Sequence, residues 1–321
     1  AGAVISGAYF GDKLSPLSDT TNLAPAMAGG ELFSHIRYMS LTTIPSIVIT
    51  LIVFLILSLT QETTGQADTI TLMAAINEKF TINGWLFLVP ATVIVLIVKK
   101  SPPLIALLVG TLMGGVFALL FQSDILLEIT QSNILTSEVA YRAIMDAISV
   151  STEITTSNAL LNDLFTSGGM EGMLGTIWLI ICAMVFGGIM DAIGALERIS
   201  NALLNWAQTT FQLFASTVAS CLAINLTASD QYLSIVIPGK MFTKAYKDRK
   251  LAPENLSRTL EDSGTVTSVL IPWNTCGAYQ SGVLGVGVGE YFVYAIFNWI
   301  SPFMTLLYAA FDIKIKALKE K

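Results

Sequence analysis

Three short stretches place oxygen-bearing side chains where helices must break. In SPLSDTTN (residues 15–22) the carboxylate of Asp19 sits among Ser18, Thr20, Thr21 and Asn22, between Pro16 and Pro25. Proline removes a backbone N–H and frees a carbonyl. The local set is then carboxylate, hydroxyl and carbonyl oxygen, the ligands that a hard cation such as Na⁺ takes. The same chemistry recurs in PWNTCG (272–277), with Asn274 and Thr275 beside Pro272. In AINLTASDQYLSIVIPGK (223–240), Asn225, Thr227, Ser229 and Asp230 interrupt an apolar run. A carboxylate taken out of water is driven toward its protonated form, and a bound cation drives it back. A carboxylate that holds either H⁺ or Na⁺, never both, exchanges the two if it faces each side in turn. Each stretch has a second reading. Residues 15–22 could be a solvated loop, and Asp230 the hydrated tip of an external hairpin. Asp191, beside Glu197 and Arg198, suits a structural pair better than a fourth buried acid.

The elements that must position these residues follow from composition. Of 321 residues, 53% are apolar and 12% charged, and the mean hydropathy is +0.68. Soluble domains carry about 25% charged residues, so the chain reads as an all-α polytopic membrane protein. A formal net charge of −6 gives no support to nucleic-acid binding. Cys182, Cys221 and Cys276 are far apart in apolar stretches, and His35 is the single histidine. Neither a metal-ligand spacing nor a disulfide framework results, and no cofactor is expected. The chain opens AGAVISGAYFGDK, without Met or a signal-peptide pattern, which predicts a processed product or a fragment of a longer polypeptide.

Five segments are apolar enough to span: 40–59, 82–98, 102–121, 173–196 and 290–311. Three more, 1–30, 207–239 and 262–289, are apolar but broken by Pro or Gly with polar residues. Together they predict about 7–9 transmembrane segments, including discontinuous or re-entrant helices. Fourteen of the 17 Lys/Arg fall at Arg37, Lys99–Lys100, Arg198, the run from Lys240 to Arg258, and the tail KIKALKEK. Ten of the 23 acids fall in 60–81 and 122–171. The positive-inside rule makes the first set, with the C-terminal tail, cytoplasmic and the acidic loops external. Within the second loop, 139–161 reads as an external surface helix or a re-entrant piece. The expected organisation is 1–60, a broken helix plus span; 61–121, a two-span hairpin; 122–171, an acidic loop; and 172–321, broken helices, a final span and the tail.

A weak internal repeat ties these parts together. Asp12 aligns with Asp262, Asp19-Thr20 with Asn274-Thr275, and Pro45 with Pro302. On the predicted topology the two units cross in opposite senses. Inverted broken helices, each followed by a Pro-bearing span, are an architecture of secondary transporters.

The strings GAYFGDKLSPLSDTTNLAPA (7–26), ASDQYLSIVIPGKMF (228–242) and LIPWNTCGAYQSGVLGV (270–286), in that order, resemble the NhaC-type sodium/proton antiporter family of the wider ion-transporter superfamily. The resemblance runs over the whole chain and matches about the C-terminal two-thirds of a longer protein. It implies a multi-pass carrier of the cell inner (cytoplasmic) membrane that exchanges Na⁺ for H⁺. Some relatives exchange malate for lactate with the same ions, and more distant ones handle basic amino acids. Carried over by position, the family's polar motifs fall on Asp12, Ser18, Asp19, Thr20, Asn22, Asp230, Asp262, Asn274 and Thr275 as ion-binding or proton-coupling residues. On chemistry, Asp19 and Asp230 are the expected carboxylate ligands of Na⁺, with Thr20, Asn274 and Thr275 as neutral ones. A Na⁺- or H⁺-coupled organic-anion exchanger is the alternative. Its carboxylate substrate needs a cation, and Lys13 is the basic residue nearest a broken helix, although helix N-termini can serve instead. No Gly-x-Gly-Asp protease motif or His/Ser/Cys arrangement supports an enzyme. The expected partners are the lipid bilayer, Na⁺ and H⁺. Small-residue runs such as Gly110–Gly115 pack helices within a protomer as readily as they build a homodimer.

Overall fold

The computed structural model describes residues 1–16, 18–60, 69–99, 101–156, 161–162 and 165–318. In chain order the helices are α1 (Gly2–Leu14), α2 (Asp19–Ala28), α3 (Leu32–Thr60), α4 (Thr69–Lys79), α5 (Leu88–Val98), α6 (Pro103–Phe121), α7 (Ser123–Thr130) and α8 (Ser137–Ser149). They continue with α9 (Leu174–Ala192), α10 (Ala195–Asn205), α11 (Thr210–Thr227), α12 (Gln231–Asp248), α13 (Pro253–Leu260), α14 (Thr275–Leu284) and α15 (Ile296–Ala310). Between α13 and α14 run a π-helical turn, Glu261–Thr265, and a 3-10 turn, Ser268–Leu270. Among the described residues there is no sheet, only two isolated bridges.

Four helices are long and apolar enough to cross a bilayer: Leu32–Thr60, Leu104–Phe121, Leu174–Ala192 and Thr210–Thr227. Two pairs of shorter pieces qualify together, Leu72–Lys79 with Gly84–Val98 bent by 87° and Val288–Tyr294 with Ile296–Ala310 bent by 54°. Up to six spans are thus present by length and composition among the described residues. The remaining expected segments lie in the broken helices α1–α2 and α12–α14, where no single piece meets both criteria. Leu51, Leu55 and Leu59 on α3 and Leu104 and Leu107 on α6 point outward, as bilayer-facing residues do.

The chain forms two compact units, Ala1–Gln61 with Thr176–Lys321 and Glu62–Gly175. In the second, α4 forms where the sequence reads as loop; the part of that loop at 61–68 lies outside the described residues. Its Lys79 Nζ lies 2.5 Å from Glu128 Oε2 on α7. Partial burial alone would raise the Glu128 carboxyl, but Lys79 and the Thr155 hydroxyl and N–H outweigh it and hold it below its ordinary value. The amphipathic stretch expected at 139–161 is helical over α8, capped by the Thr136 hydroxyl on Val139 N–H; residues 157–160 lie outside the described residues.

The first unit holds the three breaks. Two buried apolar clusters brace them. One joins Ala24 and Ala28 of α2 to Leu213, Phe214, Ile235, Phe242, Leu256 and Leu260. The other joins Ile5 and Tyr9 of α1 to Val266, Val269, Tyr291 and Phe297. Close packing of these side chains, which is what holds helices together in lipid, braces the breaks.

Candidate functional site

Each break has a local cause. Pro16 cannot continue α1, and Ser15 before it is extended (φ −85°, ψ 122°). The chain restarts at Ser18, whose hydroxyl caps α2 by accepting from Thr21 N–H. Asn22 closes the gap: its Nδ2 donates to Pro16 O at 2.9 Å and Ser18 O at 2.6 Å. Between α11 and α12, Ser229 takes a left-handed φ of 58°, and Asp230 Oδ1 caps α12 on Leu233 N–H at 2.9 Å. Before α14 the chain restarts at Asn274, whose Oδ1 accepts from Cys276 N–H at 3.1 Å.

The second and third breaks are joined to each other. Thr275 N–H donates to Ser229 O at 2.9 Å, and Trp273 Nε1 to Leu226 O at 2.8 Å. Asn274 Nδ2 reaches Asn225 Oδ1 at 3.1 Å, and Asn225 Nδ2 reaches Gly264 O at 2.7 Å. Backbone groups freed by the breaks thus find partners inside protein, the condition for irregular chain at membrane depth. The repeat is visible locally: α2 and α14 are both ten residues long. Each restarts after a proline at a polar cap and precedes a helix with an internal proline, Pro45 or Pro302.

A cavity of about 370 Å³ opens here, lined by Ala8, Tyr9 and Asp12 of α1, Asp19 of α2, Gln231 of α12, and Cys276 and Gln280 of α14. Three helix N-termini border it, each carrying about half a positive charge. Two carboxylates face that potential. Asp19 Oδ2 accepts from the Tyr232 hydroxyl, and its Oδ1 from Thr20 N–H at 2.9 Å. Thr20 Oγ1 lies 3.5 Å from Asp12 Oδ2 and 3.1 Å from Ser18 Oγ, so Thr20 touches Asp12 through its hydroxyl and Asp19 through its backbone N–H. Gln231 Oε1 accepts from Ser268 Oγ at 3.0 Å and Cys276 Sγ at 2.9 Å.

Of the residues expected from sequence, Asp12 and Asp19 line this cavity, and the buried Thr20 and Ser18 lie behind them, Thr20 bonded to both carboxylates and to Ser18. Asn22, Asn274 and Thr275 hold the breaks: the amide nitrogens of Asn22 and Asn274 bridge chain, and Thr275 binds Ser229 through its backbone. Asp230 has one oxygen in its cap and is not among the cavity-lining residues. Asp262 lies elsewhere, fully buried in the π-helical turn and paired with the fully buried Lys13. The Thr42 hydroxyl donates to its Oδ2 at 2.8 Å, and the Thr305 hydroxyl donates there too. Lys13 thus ties α1 to the second broken element. Sequence reasoning missed Tyr9, Gln231, Tyr232 and Cys276. Gln231 and Tyr232 follow Asp230 directly, and a polar pair opening a helix after a cap was the available signal.

The helical fold, its apolar spans and the interrupted helices around the Asp12 and Asp19 carboxylates are those of a multi-pass protein of the cell membrane. The profile of the Na⁺/H⁺ antiporter family matches residues 7–313, and the chain belongs to that family. It is 37% identical to the Na⁺/H⁺ antiporter NhaC of Alkalihalophilus pseudofirmus over 98% of its own length and 65% of that protein. Identity to NhaC of Bacillus subtilis is 34%, over 96% of this chain and 65% of the relative. A malate-2H⁺/Na⁺-lactate antiporter of B. subtilis is 32% identical over 94% of this chain and 61% of the relative. The chain therefore spans slightly less than two-thirds of these relatives. No solved structure matches it.

Proposed function

We propose that the protein, at its full length, exchanges Na⁺ for H⁺ across the cell membrane by alternating access, with the cavity between α1, α2, α12 and α14 as the exchange site. The observation that carries this reading is the Asp12–Thr20–Asp19 arrangement at a helix break. It supplies two carboxylates and the Thr20 hydroxyl beside Asp12, a hard-oxygen set suited to Na⁺. Two close carboxylates resist simultaneous ionisation without a cation, so Na⁺ entry displaces a proton and proton entry displaces Na⁺. Asp19 is the principal ligand, Thr20 a neutral ligand, and Asp12 the second carboxylate. Asp230, Asn274 and Thr275 serve by fixing the helix ends that border the cavity. The reading needs no resident cofactor and no catalytic step. The basic tail is placed in the cytoplasm by charge sidedness.

The organic-anion reading has one observation in its favour, the three helix N-termini at the cavity. It is weakened because Lys13, the nearby cation, is committed to Asp262. Proteoliposomes of the full-length protein distinguish the two. An inward Na⁺ gradient alone is expected to drive proton efflux. Proton movement that requires added malate or lactate would overturn Na⁺/H⁺ exchange in favour of the anion carrier.

A further inference from the structure

Glu261 opens the π-helical turn and is fully buried, and neither of its carboxylate oxygens has a hydrogen-bond partner among the described residues. Thr265, one turn on, carries a hydroxyl beside it, yet its Oγ1 is also unpartnered at hydrogen-bonding geometry. An ionised carboxylate in that setting bears a large desolvation cost with no hydrogen bond to offset it. Neither nearby cation is hydrogen-bonded to it. Lys13 pairs with Asp262. Arg258, one turn back, is stacked over the Tyr38 ring at 4.5 Å and the Tyr308 ring at 5.6 Å, and its buried guanidinium nitrogens make no hydrogen bond among the described residues. No ion pair joins Arg258 to Glu261 among the described residues.

The other packed elements bring little positive charge. From α1, Lys13 and Asp12 act on Glu261, and Asp262 lies beside it. On α3, the face Ser34, His35, Tyr38 and Thr42 runs along α13 and the turn. Ser34 Oγ donates to Glu254 Oε1 at 2.5 Å, His35 Nδ1 lies 2.7 Å from Ser257 Oγ, and Thr42 reaches Asp262. From α11 come Asn225 and Cys221, and from α15 Asn298 and Thr305. Ser234 and Ile235 of α12 lie against Gly264. The carboxylate of α2, Asp19, is turned to Tyr232. This seam leads from Glu254 and Lys316, 2.6 Å apart, inward to Glu261. A π-turn inside a helix often marks a functional position.

We propose that Glu261 is a proton-binding site separate from the Asp12–Asp19 cavity, occupied as a neutral carboxylic acid in this conformation. The reading deepens Na⁺/H⁺ exchange by adding a second proton station, and rests on that exchange only for the proton's use. The test is infrared difference spectroscopy of the purified full-length protein between neutral and strongly alkaline pH. Wild type is expected to show a protonated-carboxyl C=O stretch that disappears in alkali, with one component lost in Glu261→Gln and retained in Asp19→Asn. Glu261→Asp, the fallback if the Gln variant does not fold, is expected to move that component. A band unchanged in Glu261→Gln or Glu261→Asp would overturn the proposal, as would its absence from wild type. Failure of the exchange reading shows separately, as wild-type protein that releases no protons when Na⁺ is added.

Discussion

Removing Lys13 or Asp262 tests whether their ion pair holds the two broken elements together. Breaking a buried pair from one side costs about 3–5 kcal/mol, because the surviving charge is left uncompensated. The structure orders the two single variants. In Lys13→Met, Asp262 keeps the Thr42 and Thr305 hydroxyls, so the loss falls near about 3 kcal/mol. In Asp262→Leu the Lys13 ammonium loses its hydrogen-bonded partner and keeps the Phe297 ring, 5.4 Å from its centroid, and the loss approaches about 5 kcal/mol. At about 2 °C per kcal/mol for a large chain, the thermal midpoint in detergent falls by about 6 °C and about 10 °C. The double variant removes both charges of the pair and is expected to fall less than either single one. A double variant that loses the sum of the two single losses would show no coupling and refute the pairing.

Other outcomes follow from single positions. A Cβ on Gly277 would lie 2.0 Å from Ile271 O, so Gly277→Ala is expected to lower the thermal midpoint by more than the about 1–3 kcal/mol of ordinary overpacking. Gly7, with nothing within 4 Å of its would-be Cβ, is the control expected to tolerate Ala. At Asp230, Ala costs about 1 kcal/mol through the lost cap. Asn there keeps both the cap and Na⁺-driven exchange, and loss of exchange in Asp230→Asn would return Asp230 to the ligand set. Because Glu128 is held below its unfolded value, its pairing with Lys79 stabilises at neutral pH and is lost as pH falls through the folded value. The stability difference between wild type and Lys79→Met, at most about 1 kcal/mol for a partly exposed pair, is expected to shrink as pH falls below the free glutamate value of about 4.3 and to vanish once the folded carboxyl is protonated. A difference that persists in acid would contradict that assignment.

Much of the architecture was legible from local rules. Apolar runs located α3, α6 and α9, because lipid demands long continuous helices. Pro16, Pro272 and the Asp230 cap located the breaks. The bend of 87° before α5 was not legible, because hydropathy scores a bent segment and a straight one alike. At the site, Asp19 and Thr20 could be read because ligand chemistry and a proline coincide in one string. The separate fate of Asp262 could not, since its partner Lys13 lies 249 residues away and only packing reveals that pair. Asn274 and Thr275 read as ligands by composition; that the Asn274 amide nitrogen and the Thr275 N–H bond to Asn225 and Ser229 could be seen only in the packed chain.

The most direct test of the central claim is the Na⁺-driven proton movement of the full-length Asp19→Asn variant in everted membrane vesicles. The account predicts no Na⁺-dependent collapse of the pH gradient at any Na⁺ concentration, from protein that inserts and melts as wild type does. Exchange retained at the wild-type rate in that variant would contradict it.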